Sequence, residues 1–183
     1  SVTTVTGWSK RDFFKEWRTK PGNLAESRRC LTRGNELHQI IEDYINNKED
    51  IFKAKQPHNI ELFNQLKPEL HRIDNIYAQE VPLWSETVGL AGRVDCVAEF
   101  DGELSIIDFK GSTKTKKEEW IENYFRQATA YAIMFQEKTG IEIKNIVIMV
   151  ACENGDNQIF IKKPINYVKG LYDDIKTFYE EQE

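Results

Sequence analysis

Cysteine is scarce in this chain. Its three cysteines, Cys30, Cys96 and Cys152, stand far apart with no Cys-x-x-Cys among them. That spacing excludes a zinc ribbon and an iron–sulfur cluster held by four thiolates, and an odd count gives no disulfide framework, as suits a reducing compartment. Long apolar runs are missing too: none approaches the roughly 18 residues that would span a bilayer. The start, Ser1 to Trp8, is polar and has no apolar h-region of a signal peptide, while the absence of an initiator Met leaves room for a targeting segment removed upstream. Nor is there an excess of positive charge. With 25 Lys and Arg against 30 Asp and Glu, the net charge is −5, so a polyanionic partner would have to meet a local basic stripe. What remains is a 183-residue chain, 40% hydrophobic and 30% charged, without repeats or low-complexity linkers. That reads as one domain with a real core, and a monomer is expected.

The chain divides by period. Residues 1–76 read as helical. Ser9 is placed to cap a helix through Phe13, Phe14 and Trp17, which Pro21-Gly22 ends. A second helix is expected from about Leu24 to Asn47 on the stripe Leu37, Ile40, Ile41, Tyr44, Ile45. A third follows Pro57 through Ile60, Leu62, Phe63, Leu66, Leu70 and Ile73, disturbed at Pro68. From Tyr77 to the end strands appear. Ala78 to Trp84 carries Pro82 and therefore suits an edge. Gly92–Phe100 and Glu103–Lys110 flank Asp101-Gly102, a type I′ hairpin pair. A long helix is expected over about Lys117–Lys138, ended by Gly140. Ile143–Ala151 reads as a buried central strand, Gln158–Ile161 as a short one, and Asn166–Glu181 as a final helix with Val168, Leu171, Ile175, Phe178 and Tyr179 inward. Apolar residues occupy both faces of the hairpin: Val97, Leu104 and Ile106 on one, and Val94, Ala98, Phe100, Ile107 and Phe109 on the other. The sheet should therefore be covered by helices on both sides, in a single α/β domain.

The hairpin carries the chemistry. If its turn forms, Phe100 faces Glu103 and each step back reaches another pair, ending with Asp95 opposite Asp108. Directly facing side chains have Cβ atoms roughly 4.5–5.5 Å apart, and like charges so placed destabilise a sheet unless a cation lies between them or one carboxylate is protonated. Period two adds Lys110 to the same face. Two acids and a lysine at a strand end suggest a divalent-metal site with a cationic helper, since hard cations prefer carboxylate oxygens. The other reading is a surface Asp108–Lys110 pair beside a solvated Asp95. Against it, Asp108 lies between Ile107 and Phe109, an expensive place for an idle carboxylate.

Other residues can join. His38 is either a ligand reaching into the sheet or a satisfied boundary residue. Glu80 is a further ligand or an exposed strand acid. Gln127 and Tyr131, four apart, share a helix face with Tyr124, Ala128 and Phe135. Ser112, Lys114, Lys116 and Lys117 follow the acidic strand, with Trp120, Tyr124 and Phe125 soon after. They suit either phosphate tracking and base stacking or a solvated helix start, and Arg33 can act similarly.

In order, Arg33-Gly34…His38, Glu80, Gly92…Asp95, Asp108-Phe109-Lys110 and Gln127…Tyr131 resemble the RecB-like branch of the PD-(D/E)XK nuclease superfamily over roughly residues 33–131. Ser1-Val2-Thr3-Thr4-Val5, Asp95–Phe100 and Ile107–Lys110 resemble in particular the mitochondrial genome maintenance exonucleases and their phage-encoded relatives. The resemblance implies a restriction-endonuclease-like fold, with a central mixed sheet flanked by helices and an N-terminal helical region that helps form a channel for strand ends. It implies a Mg²⁺- or Mn²⁺-dependent exonuclease on single-stranded DNA, in the mitochondrial matrix or in a phage's host cytoplasm. His38, Asp95, Asp108 and the Phe109 carbonyl would hold the metal, Lys110 would assist the attacking water, and Gln127 and Tyr131 would position site and strand. Alternatives are a structure-selective endonuclease and a DNA-binding module without activity. Val94 stands where the superfamily name has Pro, as is usual in this branch, and Gly111 where Thr is common.

Overall fold

The Asp101–Gly102 turn forms as its chemistry demands. In the computed structural model, which describes residues 1–182, the two residues have φ of 51° and 82°, the left-handed pair of a type I′ turn. The turn joins β2 (Leu90–Phe100) to β3 (Glu103–Ser112) in the expected register, from Phe100–Glu103 to Cys96–Ile107. β1 (Ile73–Ser85) lies at one edge, where Pro82 is tolerated. β4 (Asn145–Cys152) pairs parallel with β3, and β5 (Asn157–Lys162) closes the mixed sheet in the order β1-β2-β3-β4-β5. Every residue of β4 is buried, as its near-continuous apolar run foretold.

Helices cover both faces. On one side lie α1 (Val2–Thr6), α5 (Glu122–Thr139) and α6 (Val168–Glu180), packed on Val97, Ile106, Ile146 and Ile148. On the other lie α3 (Asn23–Ile45) and α4 (Pro57–Leu70), packed on Ala98, Phe100, Ile107 and Met149. α2 (Arg11–Thr19) buries no residue. α5 is the parallel β3-to-β4 crossover and ends at Gly140, whose φ of 70° suits a helix C-terminus. Among the described residues, no helix is long and apolar enough to cross a membrane.

Several local expectations are corrected. Ser9 is no cap: it sits in a 3₁₀ turn, and the cap position of α2 is Lys10. The first three residues fold as well, because the Ser1 side chain accepts from Thr4 N–H and caps α1. Ile73 opens β1 opposite Phe100 instead of ending a helix. Tyr179 is half exposed, and its hydroxyl donates to the Gly89 carbonyl.

Val94 packs in the α5 core with Val97, whereas Cys96 and Ala98 pack in the α3 core. Strict alternation would have put Val94 with Cys96. The break lies at Asp95 and is matched on β1. Gln79 pairs with Cys96 and Val81 with Val94, so Glu80 stands across from Asp95. Glu80 has φ 52°, a left-handed conformation unusual in a strand. Gln79 reaches the Glu42 carbonyl on α3, while Val81 packs in the α5 core. A local twist of the two-stranded ribbon therefore turns two consecutive residues of each strand, Gln79–Glu80 and Asp95–Cys96, toward α3. Such strain costs about 1–3 kcal/mol. Fully buried Leu37, Ile40 and Ile41 of α3 each contribute roughly 1.5–3 kcal/mol, enough to hold it.

Candidate active site

Past Cys96–Ile107 the β2–β3 ladder stops. The next amide, Phe109 N–H, donates instead to Asp95 Oδ2 at 3.0 Å. Asp95 and Asp108 therefore do not face each other as a simple ladder pair. Asp95 turns toward α3, while Asp108 and Lys110 alternate with Ile107 and Phe109 and face α5, the side of Ile106.

On the α3 side, His38 is pinned by its buried neighbours. Its Nδ1 lies 3.4 Å from Asp95 Oδ1 and 3.8 Å from Glu80 Oε1. These three side chains offer ligand atoms all within 4.8 Å of one another. Arg93 Nε lies 3.0 Å from Glu80 Oε2 and donates to the Glu80 carbonyl at 3.1 Å. A cleft of about 490 Å³, lined by Gly34, His38, Glu80 and Arg93 among others, opens beside them.

On the α5 side, Lys110 Nζ lies 3.0 Å from Asp108 Oδ2. It donates to Gln127 Oε1 at 3.1 Å and sits 4.7 Å from the Tyr124 ring centroid. Asp108 Oδ2 is buried and has no hydrogen bond of good geometry. The carboxylate oxygens of Glu80 and Asp95 beside the His38 imidazole have the donor chemistry of a hard divalent cation's site, and Asp108 Oδ2, buried 3.0 Å from Lys110 Nζ, offers a further oxygen on the strand that the Phe109 amide ties to Asp95.

Burial pushes Asp108 up to about 6, with Lys110 opposing and Asp95 adding to the rise. Burial would also raise Asp95, but hydrogen bonding and charge from His38, with Lys110 and the Phe109 amide, hold it below the usual carboxylate range. Burial would lower His38, yet the carboxylates of Asp95 and Glu80 outweigh it and lift the imidazole to about 10. Lys110 is likewise raised: burial opposes its charge, and Asp108, Asp95 and Tyr124 overcome it. Lys110 is therefore an ammonium at neutral pH, a donor rather than a base.

The structure brings His38, Glu80 and Asp95 together as one cluster and Asp108, Lys110 and Gln127 as another, with the Phe109 amide tying the second strand to Asp95. Tyr131 is 3% exposed on the same side, and a Cβ on Gly92 would come within 2.8 Å of its hydroxyl, which explains that glycine. The strand-contact candidates fare differently. Lys114, Lys117 and Trp120 are exposed and Lys116 and Tyr124 partly so, but Phe125 is fully buried core. Ser112 is buried and donates to the Lys114 carbonyl. Arg33 is buried too, and its guanidinium is engaged internally. It donates to the Gly111 carbonyl and to Thr113 Oγ1, each at 3.2 Å, and pairs with Glu153 at 3.1 Å. Gly111 makes room for it, since a Cβ there would lie 3.0 Å from Arg33 Nε. Sequence reading missed Glu153, Arg93 and Thr3; only the Gly-Arg-Val-Asp order hinted at Arg93, two residues before Asp95.

Mitochondrial genome maintenance exonuclease 1 of Homo sapiens is 26% identical over 151 residues, 79% of this chain and 40% of its own length. The Mus musculus protein of the same name is 27% identical over 84 residues, 46% of this chain and 25% of its own. The chain thus spans less than half the length of these relatives. The crystal structure of a "Putative exonuclease" from Eubacterium rectale superposes with TM-score 0.55 at 15% identity, over 81% of this chain and 65% of the other, a likeness of fold. A family model of the PD-(D/E)XK nuclease superfamily matches residues 12–148, most of the chain and every residue of the acidic site from His38 to Tyr131. By that match the chain belongs to the PD-(D/E)XK nuclease superfamily.

Proposed function

We propose that this chain is a divalent-metal-dependent deoxyribonuclease that works from the ends of single-stranded DNA. The observation that carries the reading is the His38–Glu80–Asp95 cluster at a splayed strand end, tied through the Phe109 amide to the strand that carries the Asp108–Lys110 pair. His38, Glu80, Asp95, Asp108 and the Phe109 carbonyl would hold Mg²⁺ or Mn²⁺, which suits oxygen-rich sites. When bound, such an ion supplies Lewis-acid stabilisation of charge on the scissile phosphate.

The remaining work falls to the chain itself. Lys110, charged and directed by Asp108 and Gln127, orients the attacking water and offsets charge developing on the phosphate. Asp95 fixes the start of the Phe109–Lys110 segment through the Phe109 amide. Tyr131 and Gln127 form the wall behind the lysine.

Preference for unpaired strands draws support from exposed aromatics near basic side chains. Trp120 is 51% exposed beside Lys117, and Phe13, at 64%, lies on the helix that carries Arg11, Lys15 and Arg18. Such rings stack on bases that a duplex would keep paired. The test is a time course on end-labelled linear and on circular single-stranded DNA, with Mg²⁺, Mn²⁺ and EDTA arms. An exonuclease degrades the linear strand and spares the circle, whereas cut circles would show an endonuclease. Two intact substrates would leave only binding.

A further inference from the structure

Gln127 holds Lys110 with one end of its amide and something else with the other. Its Oε1 accepts from Lys110 Nζ at 3.1 Å, and its Nε2 donates to Thr3 Oγ1 at 2.9 Å. An ammonium has only donors, so it requires the oxygen end of the amide. The Thr3 hydroxyl accepts from the nitrogen end and so stabilises that same orientation.

Thr3 lies in α1, a helix of five residues, far too short to persist by its own propensity. It is docked nonetheless: Val2 and Val5 are 0% and 2% exposed in the α5-side core, and Ser1 caps the turn. Thr3 itself is exposed. Burial therefore does not account for its bond to an amide more than a hundred residues away in sequence.

We infer that Thr3 is a positioning residue for strand cleavage: by accepting from Gln127 it fixes the amide that aims the Lys110 amine at the reacting phosphate. The inference rests on the proposed role of Lys110. Without the Thr3 oxygen, the Gln127 side chain loses one of its two anchors and Lys110 gains room to move toward Asp108 or Tyr124. Misplacement of a catalytic group by about 1 Å can cost on the order of 100-fold in rate. Because Thr3 acts through Gln127, the loss should fall on kcat and leave KM nearly unchanged.

The test compares Thr3→Val, which keeps the shape, with Thr3→Ser, which keeps the oxygen, in the full chain on linear single-stranded DNA with Mn²⁺. Thr3→Val should lower kcat about tenfold or more, with KM and thermal midpoint as in the wild type. Thr3→Ser should restore the rate, and adding Thr3→Val to Gln127→Ala should cost nothing further. An unimpaired Thr3→Val, a Thr3→Ser as poor as the valine, or losses that multiply in the double variant would each overturn the inference.

A second readout separates this inference from the nuclease reading. With lysines labelled at Cε, the NMR signal of Lys110, assigned by its disappearance in Lys110→Ala, should shift in Thr3→Val and return in Thr3→Ser. A shifted signal in a protein that cuts no DNA would sink the nuclease reading and keep the hold of Thr3 on Lys110 through Gln127. An unmoved signal in an active enzyme would do the reverse.

Discussion

Asp95 and Phe109 are joined where their strands part: the Phe109 main-chain N–H donates to Asp95 Oδ2 at 3.0 Å, in place of a ladder bond. The aspartate thus has a structural task and a charge, and substitution can separate them. Asn retains an acceptor oxygen, whereas Ala strands a buried amide, which costs about 1–3 kcal/mol. Asp95→Ala should therefore unfold at lower denaturant than Asp95→Asn by about that amount. Both should fail to bind Mn²⁺ in calorimetry. Equal stabilities would show that the amide finds another partner.

Two groups of the site, His38 and Asp108, should make the metal-free protein less stable as pH rises. His38 has its folded pKa lifted to about 10 from 6.5, with burial opposing and the carboxylates of Asp95 and Glu80 prevailing. Its contribution is therefore complete below about 6.5 and lost on the way to 10. Asp108, raised by burial from 3.8 to about 6, binds its proton more tightly when folded, so its contribution too is lost as pH climbs through that interval. Urea midpoints in EDTA should fall across the upper window, a fall that His38→Gln should flatten. Across the lower one, where the lowered Asp95 acts in the opposite sense, Asp108→Asn should remove the loss that Asp108 contributes. A divalent ion replaces the imidazole proton, so its affinity should rise over the same alkaline range. A midpoint that climbs between pH 7 and 10 in EDTA would contradict the His38 assignment.

Gly111 and Arg33 should behave as one unit. A methyl group on Gly111 would lie 3.0 Å from Arg33 Nε, and that guanidinium is held by Gly111, Thr113 and Glu153. Overpacking of this kind typically costs about 1–3 kcal/mol. Gly111→Ala should incur that cost in the wild type and much less of it in an Arg33→Ala background, in a double-mutant cycle read by urea unfolding. Additive losses would mean that the strain lies elsewhere.

Much of this architecture was legible because local chemistry and global packing agree. Asp101-Gly102 demanded a type I′ turn, the Ile143–Ala151 run demanded burial on both faces, and Gly140 marked a helix end. The ordered acids, histidine and lysine pointed to the candidate site. What escaped reading has a physical cause. Alternation placed Asp95 opposite Asp108, but the left-handed Glu80 rotates the β1–β2 ribbon, and no residue type announces a positive φ at a glutamate. Arg33 looked like a strand contact because an arginine's type does not reveal whether Glu153, distant in sequence, will claim it. α1 was invisible because only tertiary contacts of Val2 and Val5 sustain so short a helix.

Metal binding and cleavage should come apart at Asp108 and Lys110. Lys110 Nζ lies 3.0 Å from Asp108 Oδ2, the buried oxygen otherwise lacking a hydrogen bond, so amine and ion draw on one carboxylate. Lys110→Ala removes the amine and leaves the ligand set whole. Mn²⁺ at about 100 times its Kd should still stabilise that variant by about 2.7 kcal/mol, a rise of roughly 5–10 °C for a chain of this size, while cleavage disappears. Asp108→Asn should lose both the rise and the cleavage. If Mn²⁺ stabilised Asp108→Asn as it does the wild type, the ion would sit with His38, Glu80 and Asp95 alone, and Asp108 would serve only to hold Lys110.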